Sequence, residues 1–198
     1  MKSLCVYCGS SFGISAGYAD AARLLAKEMV EQDIGLVYGG GKVGLMGVIA
    51  DEVLRLGGEA TGVIPQALMD KEVGHNQLTH LHVVQNMHER KALMAELADG
   101  FVALPGGIGT LEELFEILTW SQLGFHQKPV GVLNVDGFYD GLIAFLQTQV
   151  AQGFVKSDQA SLLLHDAQAS NLIKRMQRYV PQQSTKLRDA LAAQKLFE

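Results

Sequence analysis

Residues 100–113 read Gly100-Phe101-Val102-Ala103-Leu104-Pro105-Gly106-Gly107-Ile108-Gly109-Thr110-Leu111-Glu112-Glu113. A short run that is apolar on both faces stops at a proline, crosses three glycines and resumes at helical period, with Leu111, Leu114, Phe115 and Leu118 forming one stripe. A strand without alternation is buried on both sides, as in a parallel sheet covered by helices. The same order of strand, glycine loop and helix occurs at Gly35 to Tyr38, Gly39 to Gly47 and the segment that follows.

Outward from these two units, strands are expected at Leu4 to Tyr7, Gly35 to Tyr38, Ala60 to Ile64, Leu81 to Val84, Gly100 to Leu104, Pro129 to Leu133 and Leu162 to Leu164. Helices are expected at Tyr18 to Glu31, Gly44 to Leu56, Met87 to Leu97, Thr110 to Leu123, Tyr139 to Gln152 and Ser170 to Tyr179. The alternation predicts an α/β fold: a single-domain, Rossmann-like, doubly wound parallel sheet flanked by helices. Residues 1–180 form the expected domain and 181–198 a peripheral C-terminal segment. Pro65 to Asn76 is the one long irregular connection.

Glycine is over-represented, at 22 of 198 residues or about 11% against a usual ~7%. With only 4 prolines and no repeat, this surplus needs a local cause. Sixteen Lys+Arg against 21 Asp+Glu leave a net charge of −5, and no basic cluster is present, so nucleic acid is not an expected partner. Cys5 and Cys8 lie in an apolar strand and are expected in the core. The start lacks a signal-peptide pattern and no apolar run could span a bilayer, so a cytoplasmic protein without membrane contact is expected.

Both glycine clusters fall at the carboxyl ends of strands, where ligands of such sheets bind. Residues 39–44 match G-x-G-x-x-G, but Ile64 is followed by Pro65 and Gln66 where a dinucleotide site places an acid. Leu45 stands where a Walker loop has lysine. The glycines therefore either shape tight turns or, with helix N-termini behind them, cradle a phosphate. Two loops meeting at one sheet edge favour the ligand.

Thr110-Leu111-Glu112-Glu113 has the form of a capping box, with Glu113 returning a bond to Thr110. Alternatively, Glu113 is a carboxylate within reach of a bound sugar phosphate. Trp120, at i+7 from Glu113, could cover a base or serve an interface. Met87-His88-Glu89-Arg90-Lys91 reads either as a solvated charged face or as a ligand contact through Arg90 and Lys91. The six histidines form no H-E-x-x-H pair, and His80 with His82 lacks a third ligand, so no metal is expected. No G-x-S-x-G elbow is present.

Pro105 to Glu113 resembles the PGGxGTxxE signature of the Lonely Guy (LOG) family of cytokinin riboside 5′-monophosphate phosphoribohydrolases, and Met87 to Lys91 resembles its MHxRK element. Cys8-Gly9-Ser10-Ser11 and the Gly39 to Gly47 loop are similar too, so the likeness runs from about Met1 to Tyr179. It implies hydrolysis of the N-glycosidic bond of N6-modified adenosine 5′-monophosphates or AMP, without a cofactor, by a homodimer. Arg90 and Glu113 match the catalytic pair. Glu72, Lys91, Gly107, Ile108, Gly109, Thr110, Leu111, Glu112 and Thr119 match substrate-contacting positions, and Gly9, Ser10, Gly40, Gly41, Gly44 and Met46 join them from the other similar loops. Arg90 is expected to keep Glu113 ionised by charge pairing. Members of this family have also been labelled lysine decarboxylases, which would require pyridoxal phosphate and a Schiff-base lysine. A non-catalytic nucleotide-binding module of the same fold is the alternative from another class.

Overall fold

The computed structural model describes residues 1–71 and 74–181. Glu72 and all of the C-terminal segment beyond Pro181 lie outside the described residues. Seven strands, β1 (Ser3–Tyr7), β2 (Gly35–Tyr38), β3 (Ala60–Pro65), β4 (His80–Val84), β5 (Phe101–Ala103), β6 (Val130–Leu133) and β7 (Leu163–Asp166), form one sheet in the order β4-β3-β2-β1-β5-β6-β7. Every pairing is parallel, with Cys5 of β1 opposite Val37 on one side and Phe101 on the other. The longer helices are α1 (Ala16–Val30), α2 (Gly44–Arg55), α4 (Met87–Leu97), α5 (Ile108–Leu123), α6 (Asp140–Ala151) and α8 (Ala169–Gln177).

Two four-residue helices were not expected, α3 (Gln66–Met69) inside the Pro65 to Asn76 connection and α7 (Ser157–Ala160). One face of the sheet packs under α1, α2 and α8 around Leu25, Leu36, Ile49 and Ile173. The other lies under α4, α5 and α6 around Met94, Phe101, Leu114 and Leu146. Cys5 and Cys8 are buried free thiols, as expected for core residues. Among the described residues, no helix is long and apolar enough to cross a membrane.

The chain runs outward in one direction from β1 and in the other from β5, so the switch in strand order lies between these neighbours. Their carboxyl ends are stitched together by Leu104 N–H to the Tyr7 carbonyl at 2.9 Å and Gly9 N–H to the Pro105 carbonyl at 3.1 Å. Loops leaving the sheet here diverge to opposite faces and leave a crevice between them.

Gly44 shows why the first glycine cluster is needed structurally. Its φ is +59°, and a Cβ there would stand 2.3 Å from the Ser10 carbonyl carbon. Gly44→Ala is therefore expected to cost at least about 2 kcal/mol, from left-handed backbone strain and a contact with backbone that cannot yield. A urea midpoint indistinguishable from wild type would contradict this.

Candidate active site

The crevice is a cleft of about 380 Å³. Gly9 and Ser10 contribute from the loop after β1, Met46 from α2, and Gly107, Ile108, Gly109, Thr110 and Glu112 from the start of α5. Arg90 of α4 and Glu113 of α5 form its charged floor.

Helix α5 begins two residues before the expected Thr110, with Gly107 as its N-cap and no side-chain capping bond. Thr110 consequently lies inside the first turn and is buried, and Glu113 does not complete a capping box with it. Gly106 is required by packing, since a Cβ would meet Thr110 Oγ1 at 2.2 Å and Gly9 N at 2.8 Å. A Cβ on Gly107 or Gly109 would meet nothing within 4 Å. These two glycines border open space at a helix N-terminus, where uncapped N–H groups and the macrodipole attract an anion. The corresponding end of α2 is partly closed, because Leu45 N–H already donates to the Gly9 carbonyl at 3.0 Å. The phosphate cradle expected from two loops thus rests chiefly on the second.

Arg90 and Lys91 have separate fates at the start of α4. The helix is capped by Asn86, whose side chain accepts from Glu89 N–H, while the Glu89 carboxylate returns to Gln85 N–H. That reciprocal cap fixes the first turn and sends the next residue inward. Arg90 is buried, its Nε donating to the Val63 carbonyl at 3.1 Å and its Nη1 standing 3.1 Å from Glu113 Oε1. Lys91 points along α5 instead, with Nζ 2.7 Å from Glu112 and 3.0 Å from Glu116. Burial by itself would lower the Lys91 pKa, yet its bonds to these two carboxylates raise it overall.

Only 12% of the Glu113 side chain is exposed, and Oε1 makes an ionic contact with Arg90 without an aligned hydrogen bond. Burial pushes its carboxyl above the ordinary glutamate value, Arg90 and Lys91 oppose the rise, and Glu112 and Glu116 add to it. The expected charge pairing is present and favours the ionised carboxylate, but it works against a larger effect of desolvation. Tyr7, Cys5 and Cys8 of the adjoining strand end add no charge, because burial raises the pKa of all three well above its ordinary value.

The remaining expected contacts do not line the cleft. Gly40 and Gly41 lie behind it, Gly40 with φ +72° against Val63 and Ile64, and Gly41 bridged to Gly74. Gly44 packs on Ser10, Leu111 turns toward the core, and Thr119 is exposed about 16 Å along the helix from Ile108. Trp120 lines a different cleft of about 580 Å³ with Ala95, Phe125 and Lys128. Conversely, Cys8, Leu68 and Met87 line the cleft beside Arg90 and Glu113 without having been assigned to it. Met87 lay in the quoted motif, whereas Leu68 sits on the short α3, which carries no periodic signal.

Residues 46–176 match a protein-family model described as "Possible lysine decarboxylase". The chain is 50% identical over 181 residues to cytokinin riboside 5′-monophosphate phosphoribohydrolase LOG of Oryza sativa subsp. japonica, covering 91% of this chain and 75% of that protein. It is 48% identical over 180 residues to the Arabidopsis thaliana enzyme LOG5 of the same name, covering 91% and 79%. The fold is shared with the molybdenum cofactor binding protein of Rippkaea orientalis, at a TM-score of 0.68 and 19% identity over 90% of this chain and 97% of that one. The molybdenum cofactor carrier protein of Chlamydomonas reinhardtii superposes with a TM-score of 0.65 and 18% identity over 89% and 96%.

Proposed function

This chain belongs to the family of the LOG cytokinin riboside 5′-monophosphate phosphoribohydrolases, and from that membership we propose that it hydrolyses the N-glycosidic bond of an N6-modified adenosine 5′-monophosphate, or of AMP, releasing free base and ribose 5-phosphate. The observation that carries this reading is the buried Arg90–Glu113 pair at 3.1 Å, set on the floor of a cleft whose wall is an uncapped helix N-terminus.

The chemistry follows from the positions. The 5′-phosphate sits at Gly107 to Thr110, where backbone N–H groups bind it without lysine, so an acidic protein can take an anionic substrate. Fixing the phosphate brings the ribose over Glu113. As the bond from C1′ to the base lengthens, positive charge develops on the sugar, and the Glu113 carboxylate stabilises it and orients or deprotonates the attacking water. The raised pKa makes this carboxylate a stronger base than an exposed glutamate. Arg90 holds the carboxylate in place and limits the rise caused by burial.

Pyridoxal phosphate, which a lysine decarboxylase would need, does not fit these residues. Lys91, with its pKa raised by two carboxylate partners, is kept as an ammonium and not as a Schiff-base nucleophile, and Lys42 is exposed outside the cleft.

The proposal includes a homodimer in a cytoplasmic setting. The dimer is supported by the resemblance and by an apolar surface beside α4 and α5 that exposes Leu123 and Phe125; the setting is the expectation drawn from the sequence. Removing the 5′-phosphate tests the substrate assignment. N6-isopentenyladenosine should be cleaved with kcat/KM at least about 10²-fold below its monophosphate, the worth of two charge-assisted hydrogen bonds. Equal rates for the two, followed by chromatography of the released base, would contradict a phosphate-anchored substrate.

A further inference from the structure

His75 takes no part in the chemistry above, yet it is wholly buried and fully bonded. Its Nε2 lies 2.9 Å from Asp51 Oδ1 on α2, and its Nδ1 accepts from Gln77 N–H at 3.2 Å. With Nδ1 accepting, the neutral ring carries its proton on Nε2 and donates it to Asp51. The backbone N–H of His75 donates to the Gly40 carbonyl at 2.8 Å, and the preceding Gly74 bridges Gly41. The imidazole thus pegs residues 74–77 to α2 while their backbone holds the glycine loop after β2.

That loop is in contact with the catalytic arginine. A Cβ on Gly39 would stand 1.9 Å from Arg90 Nη2, so the guanidinium lies against bare loop backbone. Arg90 is gripped on one side by the Val63 carbonyl and on another by Gly39, with Glu113 beyond.

We propose that His75 is a positioning residue for the hydrolysis: by clamping residues 74–77 onto Gly40 and Gly41 it holds Gly39 against Arg90, and so sets the Arg90–Glu113 geometry. The inference rests on the hydrolase reading for its kinetic consequence, but not for its structural one. A displacement of about 1 Å at a catalytic pair can cost on the order of 10²-fold in rate. Any retreat of Arg90 also leaves burial less opposed at Glu113, whose other charged neighbours are Lys91, Glu112 and Glu116.

The test compares wild type with His75→Phe, which fills the space without the bonds, His75→Gln, which can still donate to Asp51, and Gly39→Ala, which pushes Arg90 from the loop side. Steady-state kinetics on N6-isopentenyl-AMP are measured with the Glu113 carboxyl titration by carbon NMR and with thermal unfolding. His75→Phe is expected to lower kcat by about 10- to 100-fold with KM within about threefold. It should also move the Glu113 titration to higher pH. His75→Gln should recover most of both, and Gly39→Ala should reproduce both. The proposal is overturned if kcat of His75→Phe stays within about twofold of wild type, or if kcat and stability fall together while the Glu113 titration does not move. Should His75→Phe not fold, Asp51→Ala, which removes the imidazole's partner from the exposed side of the bond, takes its place, with the same losses expected and the same results overturning the proposal. Should wild type cleave no monophosphate, the hydrolase reading fails, and the Glu113 titration still decides the role of His75.

Discussion

Glu113→Gln is expected to lower kcat on N6-isopentenyl-AMP by about 10²- to 10⁴-fold, the usual worth of a positioned acid–base group, while the protein remains folded. The substitution is isosteric and, since Glu113 Oε1 makes no aligned hydrogen bond, gives up only the ionic contact with Arg90, a loss offset by removing a buried negative charge. What is lost is the negative charge facing the developing oxocarbenium ion and the lone pair that takes a proton from water. KM should change little, since the proposed reading has the phosphate held at the α5 N-terminus. Kinetics together with a near-UV spectrum matching wild type check this. A variant retaining a tenth or more of wild-type kcat would remove Glu113 from its assigned role.

Arg90→Met is expected to have the second largest effect, about 10²-fold or more on kcat/KM at neutral pH, with a distinctive pH signature. Catalysis requires ionised Glu113, so activity falls as pH drops through the carboxyl's pKa in the folded protein. Burial has already raised that pKa, placing the acid limb of the wild-type profile above the ordinary glutamate range. Removing the opposing guanidinium raises it further and moves the limb to higher pH. Stability follows the same sign. A carboxyl whose folded pKa exceeds its unfolded value destabilises the native state once pH is high enough to ionise it, so the stability deficit of Arg90→Met should shrink as pH falls and Glu113 protonates. An acid limb unmoved from wild type would mean that Arg90 does not act on Glu113.

The strands were readable because most are short apolar runs between turn residues, the inner ones with no polar face, and all seven are present with boundary shifts of at most two residues at either end. Helix Met87–Leu97 matched its expected span, and Asn86 with Glu89 supplies a capping signal that could have marked its start. Gln66–Met69 and Ser157–Ala160 were not legible, since four residues do not complete a periodic pattern. Thr110-Leu111-Glu112-Glu113 misled for a physical reason. Its spacing fits a capping box, but Gly107 starts the helix without a side chain, turning Thr110 inward and placing Glu113 one turn deeper.

The candidate pair itself, Arg90 and Glu113, came from motif resemblance, and the structure brings the two together. The direction of the Glu113 shift was missed because it depends on depth of burial, which no spacing encodes. The glycine surplus divides similarly. Gly39, Gly44 and Gly106 are demanded by neighbouring atoms, whereas Gly107 and Gly109 face the open cleft, where the proposed reading puts the substrate phosphate. His75 had been weighed only as a metal ligand, and its bonds to Asp51 and Gln77 join segments 24 residues and two residues away in the chain, a combination visible only after folding.

The most direct measurement is chromatographic quantification of both products when wild-type protein is incubated with N6-isopentenyl-AMP or with AMP, with Glu113→Gln run in parallel. The expected result is equimolar free base and ribose 5-phosphate from at least one monophosphate by wild type, and almost none by the variant. Tight binding of both nucleotides with no release of base from either would contradict the hydrolase and identify the cleft as a nucleotide-binding site without turnover.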